Sequence, residues 1–309
     1  MSVLCFQREM LQICTAALLL LLSGFGNLVM GEISDNNFSK CKQFFYKNAP
    51  PEGKGITGKE YVPICQYYKG EYHFATLYNE KEYVPLYSAY KVSTGGGQRL
   101  NYWMYEPQVC EKTNQSTILP SFKNLLERKE DDPEMKEIQV KQKLKNQADD
   151  EDYKRSGYTK GHLNPCMHQG SQNQRDATFT LTNAVPQHKE SNTKTWVKYE
   201  KKVLNLYNKN CNKEMYVITG AIKYFQKIKK KVSVPEYMWS AYCCPSFTPS
   251  DDNKFATYAV MGRNNKNSGR DVVNKTGYEI EEMTLETLEN KLQKLLSTKI
   301  TLFYRHCKK

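Results

Sequence analysis

The most informative pattern in this chain lies in three neighbouring segments: YKRSGYTKGHLNP at residues 153–165, DATFTLTNAVPQ at 176–187 and SNTKTWVKYE at 191–200. In the first segment, Gly161 and His162 are predicted to sit in a turn that Pro165 closes. The second begins with a predicted strand at 179–182, which runs into the sequence NAVPQ. The third opens as a polar loop and continues as an amphipathic helix.

One imidazole, one carboxamide and one carboxylate from these segments suffice for a phosphodiesterase that uses a single metal ion. A neutral His162 can take a proton from an attacking water near pH 7. Asn192 and Glu200 offer oxygen atoms, and a hard cation such as Mg²⁺ needs only one or two such ligands from a protein. Spacing alone also fits ordinary roles, which are a surface histidine, a helix N-cap at Asn192 and a solvated Glu200.

Residues 1–31 have the features of a secretory signal peptide. Arg8 precedes an apolar run at 16–22 that is too short to span a bilayer comfortably, and Gly31, with Val29 two positions upstream, is a candidate cleavage point. A signal anchor is the alternative. We therefore expect residues 32–309 to form a single secreted, extracellular domain without stable membrane insertion.

The cysteines fit an oxidising compartment. Two of the ten, Cys5 and Cys14, lie in the predicted signal. The other eight are Cys41, Cys65, Cys110, Cys166, Cys211, Cys243, Cys244 and Cys307. Their even number predicts disulfides, while the connectivity stays open, and the absence of a CxxC pair disfavours a zinc site of the usual spacing. Sequons at Asn37, Asn114 and Asn274 predict a glycoprotein.

The chain carries a formal net charge of +12. A basic secreted protein favours polyanions, which include nucleic acid, heparan chains and anionic lipid. Lysines are concentrated at 198–202 and 227–231. A solvated lysine-rich surface explains either cluster taken singly, but binding to phosphates strengthens with the number of cations engaged.

The predicted elements indicate an α+β fold. Strand-like runs occur at 74–78, 86–92, 102–105, 179–182, 216–219, 237–243 and 255–261. Helices are predicted at 193–207 and from Thr284, whose hydroxyl can cap a helix that continues through Leu295. A charged stretch near 121–152 is interpreted as an excursion within one domain. Many strands with a few helices, out of regular alternation, are typical of the α+β class.

The three segments resemble the DNA/RNA non-specific endonuclease family, whose ββα-metal core carries a D-R-G-H motif followed by an N-x-x-x-W helix. Here TKGH at 159–162 falls at the first motif, and Asn192 with Trp196 falls at the second. The resemblance is closer to the branch of secreted endonuclease domain-containing 1 proteins, on segments such as FATLY, WMYEPQ and ATFTLTNAVPQ. It implies mixed, largely antiparallel sheets, disulfide bonds and sequence-independent cleavage of DNA and/or RNA.

The resemblance also implies roles for individual residues. His162 would be the general base, Asn192 the direct ligand of Mg²⁺ or another divalent cation such as Mn²⁺ or Ca²⁺, and Glu200 would hold a metal-bound water. Arg99 and Lys160 would bind or stabilise the phosphate. Asn183 and Gln187 would shape the site.

Departures from the family's motifs are expected to lower turnover or to abolish it. Thr159 stands where the family has aspartate, and Lys160 stands where it has arginine, which keeps the charge but loses the bidentate fork. Lys194 and Thr195 stand where a glycine and a small or variable residue are common after the metal-binding asparagine. A catalytically weak or inactive protein that binds polyanions on a nuclease fold is therefore the alternative function.

The resemblance further suggests a disulfide framework. Cys41 would pair with Cys65, and Cys211 would pair with Cys243 or Cys244, which should have separate partners because adjacent cysteines rarely bond to each other. His162, Cys166 and His168 lie close in sequence and invite comparison with a transition-metal site. We disfavour that interpretation, because an oxidised Cys166 cannot ligate a metal.

Overall fold

Twelve strands and four α-helices make up the regular structure in the described part of the chain. The computed structural model describes residues 32–35, 37–99, 102–109, 136–137, 145–250, 256–269 and 271–308, all of which lie in one compact unit, Gly31–Lys309. The strands are β1 Glu32–Ile33, β2 Tyr61–Tyr68, β3 Glu71–Asn79, β4 Val84–Lys91, β5 Met104–Tyr105, β6 Lys136–Glu137, β7 Tyr158–His162, β8 Ala184–His188, β9 Tyr216–Ile228, β10 Val232–Cys243, β11 Thr257–Arg263 and β12 Ile280–Met283. The helices are α1 Asp150–Tyr153, α2 Gln172–Ala177, α3 Val197–Asn210 and α4 Leu285–Leu296.

Eight strands form one antiparallel sheet in the order β1-β2-β3-β4-β9-β10-β11-β12. Two further antiparallel pairs, β5–β6 and β7–β8, stand outside it. Met104 and Thr180 form an isolated parallel bridge. This architecture confirms the predicted α+β class with largely antiparallel sheets.

Both faces of the large sheet are buried, because successive side chains along a strand point to opposite sides. In β10, Trp239 packs in the core that also holds Leu288 and Leu292 of α4. Its neighbour Met238 packs in the opposite core, together with Val203 of α3. The sheet is therefore a middle layer, and β7, β8 and α3 share its second face.

Three disulfides join the described cysteines: Cys41–Cys65, Cys211–Cys244 and Cys243–Cys307. The predicted Cys41–Cys65 bridge and the separate partners of the adjacent pair are confirmed. Cys243 contributes to the core on the α4 face and Cys244 to the core on the α3 face, so neighbouring cysteines reach opposite layers. Cys166 is a buried free thiol, which corrects the expectation that it is oxidised. Cys110 lies outside the described residues.

Two predicted boundaries are wrong for local reasons. The segment 179–182 is not a strand, because a 3-10 turn at Leu181–Asn183 follows the single bridge at Thr180. The strand comes after that turn, as β8. Helical structure begins before Thr193, in a π-helical turn at Ser191–Trp196 that continues directly into α3.

The cap of the last helix is confirmed. The Thr284 hydroxyl accepts a hydrogen bond from the backbone N–H of Thr287, and Glu286 lies in the first turn of α4. There its carboxylate faces the positive end of the helix dipole.

The predicted signal peptide at 1–31, most of the excursion at 121–152 and the Asn114 sequon lie outside the described residues. Asn37 and Asn274 are exposed. No helix within the described ranges is long and apolar enough to cross a membrane.

Candidate active site

His162 ends strand β7, which pairs antiparallel with β8 and places His162 opposite Ala184. This corrects the prediction of a turn. Gly161 permits the close pairing, because a Cβ at that position would lie 2.7 Å from the Cβ of Gln187. Lys160 and His162 are two residues apart on the strand and therefore project to the same side.

Two aromatic rings enclose the His162 imidazole. The ring centroids of Trp103 and Phe179 each lie 4.8 Å from that of His162. Phe179 is fully buried and Trp103 is half-buried. The Nε2 atom of His162 is itself buried and has no hydrogen-bond partner among the described residues. A buried imidazole nitrogen without a partner can accept or donate a hydrogen bond, according to the tautomer, and is available to a ligand.

The environment of His162 strongly favours its neutral form. Burial, followed by the positive charges of Arg99 and Lys160, lowers the pKa of His162 to about 3. The His162 imidazole is therefore neutral throughout the physiological pH range.

The two predicted phosphate-binding cations flank this histidine. The Arg99 guanidinium lies over the Phe179 ring, 5.0 Å from its centroid, and Arg99 is exposed. The Lys160 ammonium lies 5.0 Å from the centroid of Trp103 and forms an ion pair with Asp150 of α1. Asp150 therefore partly neutralises Lys160 in this state.

Asn192 lies inside the π-helical turn, and the N-cap interpretation is wrong because the N-cap position is Glu190. Its side chain reaches β7, where Nδ2 donates a 2.9 Å hydrogen bond to the hydroxyl of Thr159. A π-helical turn widens the backbone, and such turns are frequent at functional sites. The carboxamide is thus held at the strand that carries the histidine.

Glu200, on the first turn of α3, shares the electrostatic surroundings of His162. Burial raises the pKa of Glu200 to about 8, and the nearby Arg99 charge opposes that shift. The Glu200 carbonyl oxygen is 2.9 Å from Nε2 of His168. Arg99 thus lies close enough to act on both the predicted base and the predicted acidic residue.

Asn183 and Gln187 are buried, and their side chains form hydrogen bonds with residues around the site. Asn183 accepts hydrogen bonds from Ser88 Oγ and from the backbone N–H of Asn164, and its Nδ2 donates to two carbonyl oxygens. Gln187 Nε2 donates to the hydroxyl of Ser191, 3.1 Å away. Their role in shaping the site stays a prediction.

The lysine clusters are less cationic than the sequence suggests. Lys231 forms ion pairs with Asp149 and Asp152, and Lys227 with Glu82. Lys202 pairs with Glu282 at 2.5 Å. Local acidic partners therefore offset part of the positive charge of each cluster. The cations that lie beside His162 are Arg99 and Lys160.

The second histidine near the site has a structural environment. His168 is buried between the Tyr90 hydroxyl, 3.0 Å from Nδ1, and the Glu200 carbonyl, and burial lowers its pKa to about 4. No three His, Cys, Asp or Glu side chains converge as a metal-binding group within the described ranges.

The oxygen atoms of Asn192 and Glu200 suit a hard divalent cation. Asn192 and Glu200 supply oxygen atoms only, which Mg²⁺ prefers, and such an ion keeps most of its waters. The hydrogen bond to Thr159 uses the nitrogen end of the Asn192 amide, so the oxygen end is the one available to a cation.

Sequence reasoning missed the aromatic enclosure and the partner of Lys160. Trp103 and Asp150 are far from His162 in sequence, and a lone tryptophan or an acidic run has no local signature of a site. Thr159 was identified only as a departure from the motif, although it contacts Asn192 directly.

A model of the DNA/RNA non-specific endonuclease family matches residues 56–295. The chain is 30% identical to the endonuclease domain-containing 1 protein of Homo sapiens over 224 residues, which are 71% of this chain and 41% of that protein. The Mus musculus protein of the same name is 29% identical over 210 residues, which are 67% of this chain and 39% of that protein. The chain thus spans about two fifths of the length of these curated relatives.

A solved structure described as "Crystal structure of the EndoG/EndoGI complex: Mechanism of EndoG inhibition" aligns with a TM-score of 0.46 at 18% identity. The alignment covers 78% of this chain and 86% of that one. The family model covers far more than half of the chain, including every predicted site residue. The chain therefore belongs to the DNA/RNA non-specific endonuclease family.

Proposed function

We propose that this protein is a secreted, metal-dependent endonuclease that hydrolyses phosphodiester bonds of DNA and/or RNA without sequence specificity. The observation that carries the proposal is the buried, unpartnered Nε2 of His162, which lies close to the two cations Arg99 and Lys160. A neutral proton acceptor beside cations that bind phosphate is the arrangement that phosphodiester hydrolysis requires.

His162 would act as the general base. The tautomer with its proton on Nδ1 leaves the Nε2 lone pair free to accept a proton from water. An imidazole whose pKa is about 3 is a weak base. A phosphate bound by Arg99 and Lys160 would offset their charges and raise the pKa of His162, while burial, the larger cause, would still hold it below its ordinary value.

Asn192 would hold the divalent ion directly, and Glu200 would hold one of its waters. Mg²⁺, Mn²⁺ or Ca²⁺ would neutralise the charge that develops on the phosphate and on the leaving oxygen. The chain itself orients the Asn192 amide through Thr159, while Trp103 and Phe179 exclude bulk water from the base.

Lack of sequence specificity is proposed because the site groups address phosphate, metal and water. Arg99 and Lys160 are charges placed for the backbone of the nucleic acid, and backbone contacts carry no base information directly. Secretion and glycosylation are proposed on the three disulfides and the two exposed sequons.

Cleavage of plasmid DNA and of RNA by the purified protein, with Mg²⁺ or with EDTA, tests the proposal. His162→Ala should lower the cleavage rate by ~10²–10⁴ and leave nucleic-acid retention intact, because general-base assistance has that magnitude. His306→Ala, which removes an imidazole paired with Glu289 of α4, is the matched control and should cleave normally. Mapped product ends should have no dominant consensus.

Equal cleavage by wild type and His162→Ala would reject the base. Retention of nucleic acid without any cleavage by the wild type would favour the second candidate, a polyanion-binding protein on a nuclease fold. The observation behind that candidate is the low pKa of His162 together with the pairing of Lys160 by Asp150.

A further inference from the structure

The hydroxyl of Thr159 makes two hydrogen bonds that differ in direction. Thr159 Oγ1 donates to the backbone carbonyl of Gln187 on β8, 2.8 Å away. It accepts from Nδ2 of Asn192, at 2.9 Å. The hydroxyl thus connects the β7–β8 pair to the π-helical turn.

These directions fix the orientation of the Asn192 amide. A hydroxyl has a single hydrogen, and the Gln187 carbonyl takes it. With the amide turned over, Oδ1 would face an oxygen that has no hydrogen left to donate. Asn192 therefore keeps Nδ2 toward Thr159 and Oδ1 away from it.

A second contact restrains Ser191, the residue before Asn192. Gln187 Nε2 donates to the hydroxyl of Ser191, a fully buried residue that directly precedes Asn192. Gln187 therefore fixes both sides of the arrangement, Thr159 through its carbonyl and Ser191 through its side chain. Together these bonds hold the position of Asn192 as well as its amide orientation.

We propose that Thr159 is a positioning residue that presents the Oδ1 atom of Asn192 to the divalent cation. The inference rests on the proposed function, in which Asn192 holds the ion. Groups that orient a metal ligand typically change metal affinity 10–100-fold when they are lost. A carboxylate at this position could only accept a hydrogen bond from Nδ2 and would impose the same amide orientation. Thr159, which replaces the motif's aspartate, thus imposes the same orientation on the Asn192 amide, because its hydroxyl proton is used by the Gln187 carbonyl.

Binding of Mn²⁺ to the purified full chain without nucleic acid tests the inference. Free Mn²⁺ is measured by electron paramagnetic resonance during titration. Thr159→Val is nearly isosteric but lacks the hydroxyl, and it should weaken Mn²⁺ binding about tenfold or more. Thr159→Ser keeps the hydroxyl and should restore most of the affinity.

Thr193→Val is the matched control. The Thr193 hydroxyl donates to the carbonyl of Lys189 in the same helical turn, 2.8 Å away, and is exposed. Its loss should leave Mn²⁺ affinity unchanged. Thermal melts of all variants establish that they fold, and Thr159→Ala replaces Thr159→Val if the valine variant does not.

The possible failures are distinguishable. If Asn192→Ala loses Mn²⁺ binding while Thr159→Val binds as tightly as Thr193→Val, the positioning role is wrong and the proposed ligand stands. If Asn192→Ala binds Mn²⁺ as the wild type does, the proposed ligand itself is wrong, and the role of Thr159 falls with it.

Discussion

At the scale of single residues, the resemblance of short motifs predicted roles for His162, Asn192 and Glu200, but it could not predict the environment of these residues. The pKa of His162 depends on its burial by Trp103 and Phe179 and on two cations, all brought together by distant parts of the chain. A motif specifies which groups are present, whereas their protonation depends on what the fold packs around them.

The first residue-scale prediction concerns the protonation of His162. Because a positive charge disfavours a second one nearby, Lys160→Gln should raise the pKa of His162. Burial still opposes protonation, so the pKa should remain below its ordinary value. Carbon-detected NMR titration of the histidine rings in the metal-free protein measures the shift, with Lys194→Gln as the control for a surface lysine. Titration of His162 near pH 6.5 in the wild type would contradict the buried environment.

At the scale of elements, hydrophobic periodicity located α3 and much of the large sheet, yet it missed the β7–β8 pair. The sequence TKGHLNP contains a glycine, a histidine and a proline, which are typical of turns. Pairing with β8 nevertheless makes its first half a strand, because the partner segment satisfies the backbone hydrogen bonds of β7. Tertiary pairing of this kind has no local signal.

The β7–β8 pair leads to a prediction about Gly161. A methyl group there would overlap the buried Gln187 side chain, whose Cδ would lie 3.0 Å away. Gly161→Ala should therefore destabilise the protein by about 1–3 kcal/mol, as overpacking does, and should lower cleavage by displacing His162. Chemical denaturation and plasmid cleavage measure the two effects.

Gly96→Ala is the control for the glycine substitution, since a Cβ at Gly96 meets no atom within 4 Å. If Gly161→Ala and Gly96→Ala have the same free energy of unfolding and the same cleavage rate, β7 and β8 are not packed as closely as described.

At the scale of the whole molecule, the order of predicted strands and helices correctly indicated the α+β class and the number of cysteines indicated disulfides, but neither could reveal a carboxyl group in the core. Glu106 is almost fully buried and accepts a hydrogen bond from Thr180 Oγ1 at 3.1 Å. Burial raises the pKa of Glu106 to about 8. Glu106 follows the apolar run Trp103, Met104 and Tyr105, but such a run does not show that the carboxyl group itself is buried, so its raised pKa follows only from the folded structure.

The buried Glu106 predicts a specific dependence of stability on pH. The pKa of Glu106 is raised in the folded state, so its contribution is fully favourable below its unfolded pKa of about 4.5 and is lost as pH rises toward about 8. Glu106→Gln cannot ionise and should gain stability relative to wild type across that interval, by at most about 1.4 kcal/mol per pH unit. Thermal melts between pH 5 and 8 measure the difference.

Glu52→Gln, at an exposed side chain, should leave the difference in melting temperature from wild type nearly constant over the same range. A constant difference for Glu106→Gln as well would mean that its carboxyl group ionises as freely in the folded protein as in the unfolded chain.

The adjacent cysteines also have a mechanical consequence. The bridges Cys211–Cys244 and Cys243–Cys307 enclose segments of 33 and 64 residues and meet at a single peptide bond. In the oxidised chain, a pulling force passes from Cys211 to Cys244 through one bridge, crosses the peptide bond to Cys243 and reaches Cys307 through the other bridge. The segments between these cysteines, which contain most of β9, β10, β11 and α4, are therefore not stretched. Reduction of both bridges would release roughly 350 Å of extra contour length, at about 3.6 Å per residue. The oxidised protein therefore shields β9 to β12, four of the eight strands of its large sheet, from tension.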